Sequence, residues 1–125
     1  RLDFMTVTAT KERSALPLHL QRCLDALDQK KAESIRVLYV GDVSSITDYF
    51  LIATGTSNPH LKALSEIVVD TLKEAGEEAV VSGTGTQSGW VVVDAYDFMI
   101  HLFTAEMRSY FNLEGLWKDG TLIED

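Results

Sequence analysis

Six residues in succession, Tyr49-Phe50-Leu51-Ile52-Ala53-Thr54, are aromatic, aliphatic or β-branched, and Gly55-Thr56 ends the run. Asn58-Pro59 follows at once as an N-cap and a first-turn proline, and Leu61, Leu64, Ile67, Val68 and Leu72 then share one helical face until Gly76. Proline has no amide hydrogen to offer and is therefore tolerated in a helix's first turn, while glycine readily ends one. A buried strand feeding an amphipathic helix this directly commits the chain to an α/β layer fold, because the apolar stripe has to lie back on a sheet.

The flanking segments extend this pattern. Leu16, Leu20, Cys23, Leu24 and Leu27 recur at three- and four-residue steps with polar residues between them, predicting a helix over Leu16–Lys31 with Pro17 in its first turn. Ile35–Val40 reads as a second buried strand before Gly41-Asp42, and Glu78–Val81 as a shorter one. Strand, helix and strand around Leu61–Leu72 predict a right-handed crossover joining parallel strands. Trp90–Asp94 and Phe98–Phe103 are separated only by Ala95-Tyr96-Asp97, too short for a crossover and suited to a hairpin, so the sheet is expected to be mixed. Thr104 is placed to cap a final helix with Glu106 in its first turn, and Tyr110, Phe111, Leu113, Leu116 and Trp117 supply apolar docking surface.

These 125 residues fit one domain of about five strands packed with helices, over residues 16–120, with tails at 1–15 and 121–125. Met5 is a candidate native start, which would make Arg1–Phe4 foreign to the natural chain. Hydrophobic residues make up 46% and charged residues 24%, the balance of an ordinary globular domain. The longest apolar run, Tyr49–Ala53, falls far short of the roughly 20 residues that span a bilayer, and Arg1–Thr10 lacks the charged start and apolar stretch of a secretory signal, so none is expected. The single cysteine, Cys23, has no partner for an intramolecular disulfide, which suits a reducing, cytoplasmic setting. A net charge of −8 repels a phosphate backbone, so no direct DNA binding is expected, and a basic protein suits the chain better.

Motifs for catalysis are weak. Thr54-Gly55-Thr56-Ser57-Asn58 forms a strand-to-helix junction where an anion can bind, but it has no P-loop lysine, and helix capping explains Ser57 and Asn58 more simply. Gly83-Thr84-Gly85, within the loop Gly83–Gly89, precedes a strand rather than a helix and so fails as a dinucleotide fingerprint. His101, Asp94 and Asp97 lie on or beside one hairpin, yet Asp97 suits a turn, Asp94 a strand end, and a lone histidine in an apolar strand a hydrogen-bonded core position. Ser57 and Ser88 lie in no nucleophile elbow, and one cysteine with three histidines gives no paired zinc spacing. No catalytic residue, metal or cofactor is therefore expected. Trp90, Tyr96 and Trp117 are candidate aromatic anchors for a protein partner.

The run Asp42-Val43-Ser44-Ser45-Ile46-Thr47-Asp48-Tyr49-Phe50-Leu51-Ile52-Ala53-Thr54-Gly55-Thr56-Ser57 resembles the signature of the ribosomal silencing factor (Iojap-like) family. A second block, Gly89–Phe103, followed by Glu106, Arg108, Tyr110, Leu113-Glu114 and Leu116-Trp117, is similar to that family's C-terminal half. Tyr39 departs from the pattern, standing where the family often has an acidic residue. The resemblance implies a nucleotidyltransferase-like mixed-sheet domain without a known reaction. It also implies binding to the large ribosomal subunit through its protein fourteen, steric blocking of the small subunit, repression of translation, and a homodimer. The residues expected to meet the ribosomal protein are Trp90, Val92, Asp94, Tyr96 and Asp97, an aromatic anchor with acidic neighbours. Asp48, Tyr49, His101, Tyr110 and Trp117 are expected on a dimer or partner surface. Two rival readings are a residual nucleotidyl or phosphoryl transferase, using the junction near Ser57 with Asp94 and Asp97, and a purely self-associating module. Organellar relatives in the family imply a third role, in ribosome assembly.

Overall fold

Every residue from Tyr49 to Gly55 is buried, which requires a central strand covered on both faces. The computed structural model describes residues 16–40, 47–84, 88–111 and 121–123. In chain order the elements are α1 (Leu18–Gln29), β1 (Glu33–Tyr39), β2 (Tyr49–Gly55), α2 (Asn58–Glu74), β3 (Val80–Ser82), β4 (Trp90–Asp94), β5 (Phe98–Thr104), α3 (Ala105–Phe111) and β6 (Thr121–Ile123). Six strands form one mixed sheet in the order β3-β4-β5-β2-β1-β6. The α/β architecture and the β4–β5 hairpin match the sequence reading. The tail expected at 121–125 instead contributes β6, an edge strand antiparallel to β1. The tail expected at 1–15 lies outside the described residues, as do Leu113, Leu116 and Trp117.

One expectation about the crossover changes. β3 runs parallel to β2, but β4 and β5 stand between them, and the directly paired parallel strands are β2 and β5. Length explains the choice: seven residues of β5 match seven of β2, from Tyr49 opposite Phe98 to Gly55 opposite Thr104, whereas β3 has only three.

α1 and α2 cover one sheet face. Leu20, Cys23, Leu24 and Leu27 of α1 and Leu61, Leu64, Val68 and Leu72 of α2 bury against Val37, Leu51, Ala53, Val91, Val93, Ile100 and Leu102. Each such leucine contributes about 2 kcal/mol through burial. The residue that caps α2 is Ser57 rather than Asn58, its Oγ accepting the His60 amide at 3.1 Å, with Pro59 in the first turn. Gly55 lets this helix pack closely on the sheet, since a Cβ there would lie 2.7 Å from the end of the Leu61 side chain, which would have to shift. His60 then ties the two helices: its Nδ1 accepts the Thr56 amide at 2.9 Å, leaving Nε2–H to donate to the Lys30 carbonyl at 2.8 Å.

The second face is held differently. Leu38, Val40, Phe50, Ile52 and Phe103 form its buried centre, with Trp90, Met99 and Met107 half-buried around them. α3 lies over this face. Thr104 caps it as expected, its Oγ1 accepting the Met107 amide at 3.4 Å. Arg108 anchors the helix by donating to the Ser34 carbonyl at 2.6 Å and to Thr54 Oγ1 at 2.9 Å.

Candidate functional site

Directly opposed residues in an antiparallel pair point to the same side of a sheet, and alternate residues share a face. Trp90 lies opposite Phe103, Val92 opposite His101, and Asp94 opposite Met99, so these six residues occupy one face. That face is the second one, away from α1 and α2. Val80 of the edge strand lies opposite Asp94 and is 61% exposed, extending the same surface. The result is a partly apolar sheet face whose centre is sealed by Phe50, Ile52 and Phe103, and whose rim at β3 and β4 reaches solvent.

Trp90 is the largest group on that rim. Its indole Nε1–H donates to His101 Nδ1 at 3.1 Å, and its ring stacks 5.4 Å from Phe103 and 5.9 Å from His101. Burial pushes the His101 imidazole down to about 4, so the ring is neutral at pH 7.

Acidic groups gather where the hairpin turns. Asp94 Oδ1 accepts the Tyr96 amide at 3.0 Å, fixing a turn in which Tyr96 takes a left-handed φ of 70° and exposes its ring. The Asp97 carbonyl accepts the Asp48 amide at 3.2 Å, which brings the start of β2 to the same end of the sheet. Asp48 and Asp97 are exposed and Asp94 half-buried, so three carboxylates flank Tyr96 at this end.

The five residues expected to meet a ribosomal protein run along one strand and into its turn: Trp90, Val92 and Asp94 share the face, with Trp90 at the end of β4 away from the turn that carries Tyr96 and Asp97. The residues expected on a dimer or partner surface are scattered instead. Asp48 is exposed at the acidic end, and Tyr110 is 77% exposed on α3. Tyr49, expected at a surface, is 8% exposed because it points under the helices, packed edge-on against Tyr39 at 5.3 Å. Its phenol is raised by that burial and then by Asp48. His101, also expected at a surface, is 5% exposed beneath the aromatic layer. Trp117 lies outside the described residues. Phe50, Met99, Phe103 and Val80 were missed; alternation along Phe98–Phe103 signals two of them, but only the strand register joins them to Trp90.

The groups that suggest chemistry are occupied elsewhere. At the Thr54–Asn58 junction, the Thr56 amide is bonded to His60, the His60 amide to Ser57, and Asn58 Oδ1 to the Gly89 amide at 3.0 Å. A groove of about 460 Å³ runs between α2 and β3, lined by Lys62, Glu66, Val69 and Val81, on the helix side of the sheet. Among the described residues, no group of three or more His, Cys, Asp or Glu could hold a metal ion, and no helix is long and apolar enough to cross a membrane.

Comparison with known proteins identifies the family and the fold. The sequence profile of the family described as "Ribosomal silencing factor during starvation" matches residues 12–125. Ribosomal silencing factor RsfS of Halalkalibacterium halodurans is 35% identical over 105 residues, covering 84% of this chain and 90% of that protein. The chloroplastic protein Iojap of Zea mays is 33% identical over 99 residues, which are 79% of this chain and 43% of that longer protein. A crystal structure of a Chromobacterium violaceum protein superposes with a TM-score of 0.77 at 34% identity, covering 80% of this chain and 83% of that one. With the profile match spanning both signature blocks and the same fold found in a solved relative, the chain belongs to the ribosomal silencing factor family.

Proposed function

We propose that this protein binds the large ribosomal subunit through ribosomal protein fourteen and represses translation by keeping the small subunit from joining. Family membership carries the reading, since the relatives it matches in bacteria are named ribosomal silencing factors. The surface proposed for docking is the β4 rim and its turn: Trp90 and Val92 as apolar contacts, Tyr96 as an exposed ring, Asp94 and Asp97 as complements to a basic partner. A net charge of −8 favours encounter with such a partner.

Occupancy alone suffices for the mechanism. A folded domain seated on the joining face excludes a second large body sterically, and its residence time sets the strength of silencing. The role is regulatory rather than catalytic, exercised in the cytoplasm where subunits join. A second copy of the chain is the other proposed partner. Light scattering of purified subunits tests the mechanism: added protein should lower the yield of joined ribosomes, and an unchanged yield at saturating protein would overturn it.

The transferase reading finds less support. Ser57 lies two residues beyond the last residue of β2, whereas Asp97 precedes the residue opposite the first, so the two lie beyond opposite ends of a seven-residue strand, at least about 20 Å apart.

A further inference from the structure

Tryptophan's indole nitrogen is a hydrogen-bond donor only. Because Trp90 Nε1 lies 3.1 Å from His101 Nδ1, that imidazole nitrogen has to be unprotonated, and the neutral ring must carry its proton on Nε2. His101 is itself clamped. Its ring lies nearly parallel to Phe103, at 11° and 6.2 Å, and meets Phe50 edge-on at 5.1 Å. The arrangement has a cost, since Nε2 is fully buried and has no hydrogen-bond partner among the described residues. A phenylalanine at this position would keep the stacked layer and remove that orphan donor, but it would leave the Trp90 indole without its acceptor.

We infer that His101 is the positioning residue for the Trp90 anchor, holding the indole at one angle on the docking face through its Nδ1 acceptor and the Phe103–His101 stack. His101 acts through Trp90 and touches no partner itself. A half-buried indole on a sheet rim otherwise has rotamers to choose from, and each one frozen in advance is an ordering cost removed from binding. The effect on affinity presupposes that this face docks on the large subunit; the geometry of the free protein does not.

Two measurements on the full chain separate those layers. In ¹⁵N spectra of the histidine-labelled protein at pH 7, His101 should show an unprotonated Nδ1 and a protonated Nε2; the opposite tautomer or a charged ring would overturn the assignment without any variant having to fold. The second is a double-mutant cycle in large-subunit affinity with Trp90→Phe, His101→Phe and the pair. Each single change should weaken binding by about 3- to 10-fold, the cost of ordering one side chain on binding, and the pair should be no weaker than Trp90→Phe alone. Losses that multiply would mean that His101 acts independently of Trp90. His101→Asn, whose Oδ1 takes the place of Nδ1, should bind more tightly than His101→Phe, and a folded Asn variant as weak as the Phe variant would count against positioning. If the unaltered protein fails to bind large subunits, the docking reading fails, while the tautomer still decides the placement of Trp90.

Discussion

The amide of Gly89 donates to Asn58 Oδ1 at 3.0 Å, tying the residue before Trp90 to the first residue of α2. Gly89 has a φ of +82°, and a Cβ there would lie 2.6 Å from Met107 Cγ and 2.9 Å from Thr104 Oγ1. The entry to β4 is thereby fixed against both helical layers. Gly89→Ala should cost about 2 kcal/mol of stability, from strain and crowding together. Asn58→Ala should cost less, about 1 kcal/mol. Urea unfolding checks both, and equal costs would contradict the close packing of Gly89 on Met107.

Stability should fall in mild acid because of His101. Its folded value of about 4 lies below the ordinary 6.5, so between those values the unfolded chain binds a proton that the folded chain does not. The contribution is complete above about pH 6.5 and is lost as pH falls through about 4, at most about 3 kcal/mol across the window. Urea midpoints at several pH values should show a slope in this range that His101→Asn reduces; an identical slope in that variant would contradict a neutral, buried His101.

Cys23 is buried on α1, and desolvation pushes its thiol up to about 12 from 9.0. Thiolate is the reactive form, so at pH 8 its fraction is reduced about 1,000-fold, before steric protection is counted. Thiol reagents should label the unfolded chain rapidly and the native one only at the rate of opening. Fast stoichiometric labelling of native protein would contradict the packing of α1.

What was legible beforehand follows from the range of each signal. The two long helices and the hairpin announce themselves locally, through Leu61–Leu72 spacing and the brief Ala95-Tyr96-Asp97 link. Trp90–Asp94 also reads locally as a strand, and the shared face of Trp90, Val92 and Asp94 then follows from the observed register. Register was not legible: nothing local says that β5 rather than β3 lies beside β2, since both are apolar and the pairing is decided by length and by what each helix covers. Thr121–Ile123 is too short to read as a strand until β1 offers it an edge. Tyr49 reads both as part of a buried strand and as a dimer or partner surface residue, and β2's central place makes it core. The reading of His101 as a hydrogen-bonded core histidine agrees with its bond to Trp90, whereas its surface assignment does not survive its burial.

The most direct test of the account is cosedimentation of the purified protein, and of its Trp90→Ala variant, with isolated large and small ribosomal subunits. The protein should pellet with large subunits and not with small ones, and the folded variant should lose at least about 10-fold in affinity, as expected for an aromatic anchor. Absence of binding to large subunits would contradict the proposed function, and full binding by a folded Trp90→Ala variant would contradict the proposed docking face.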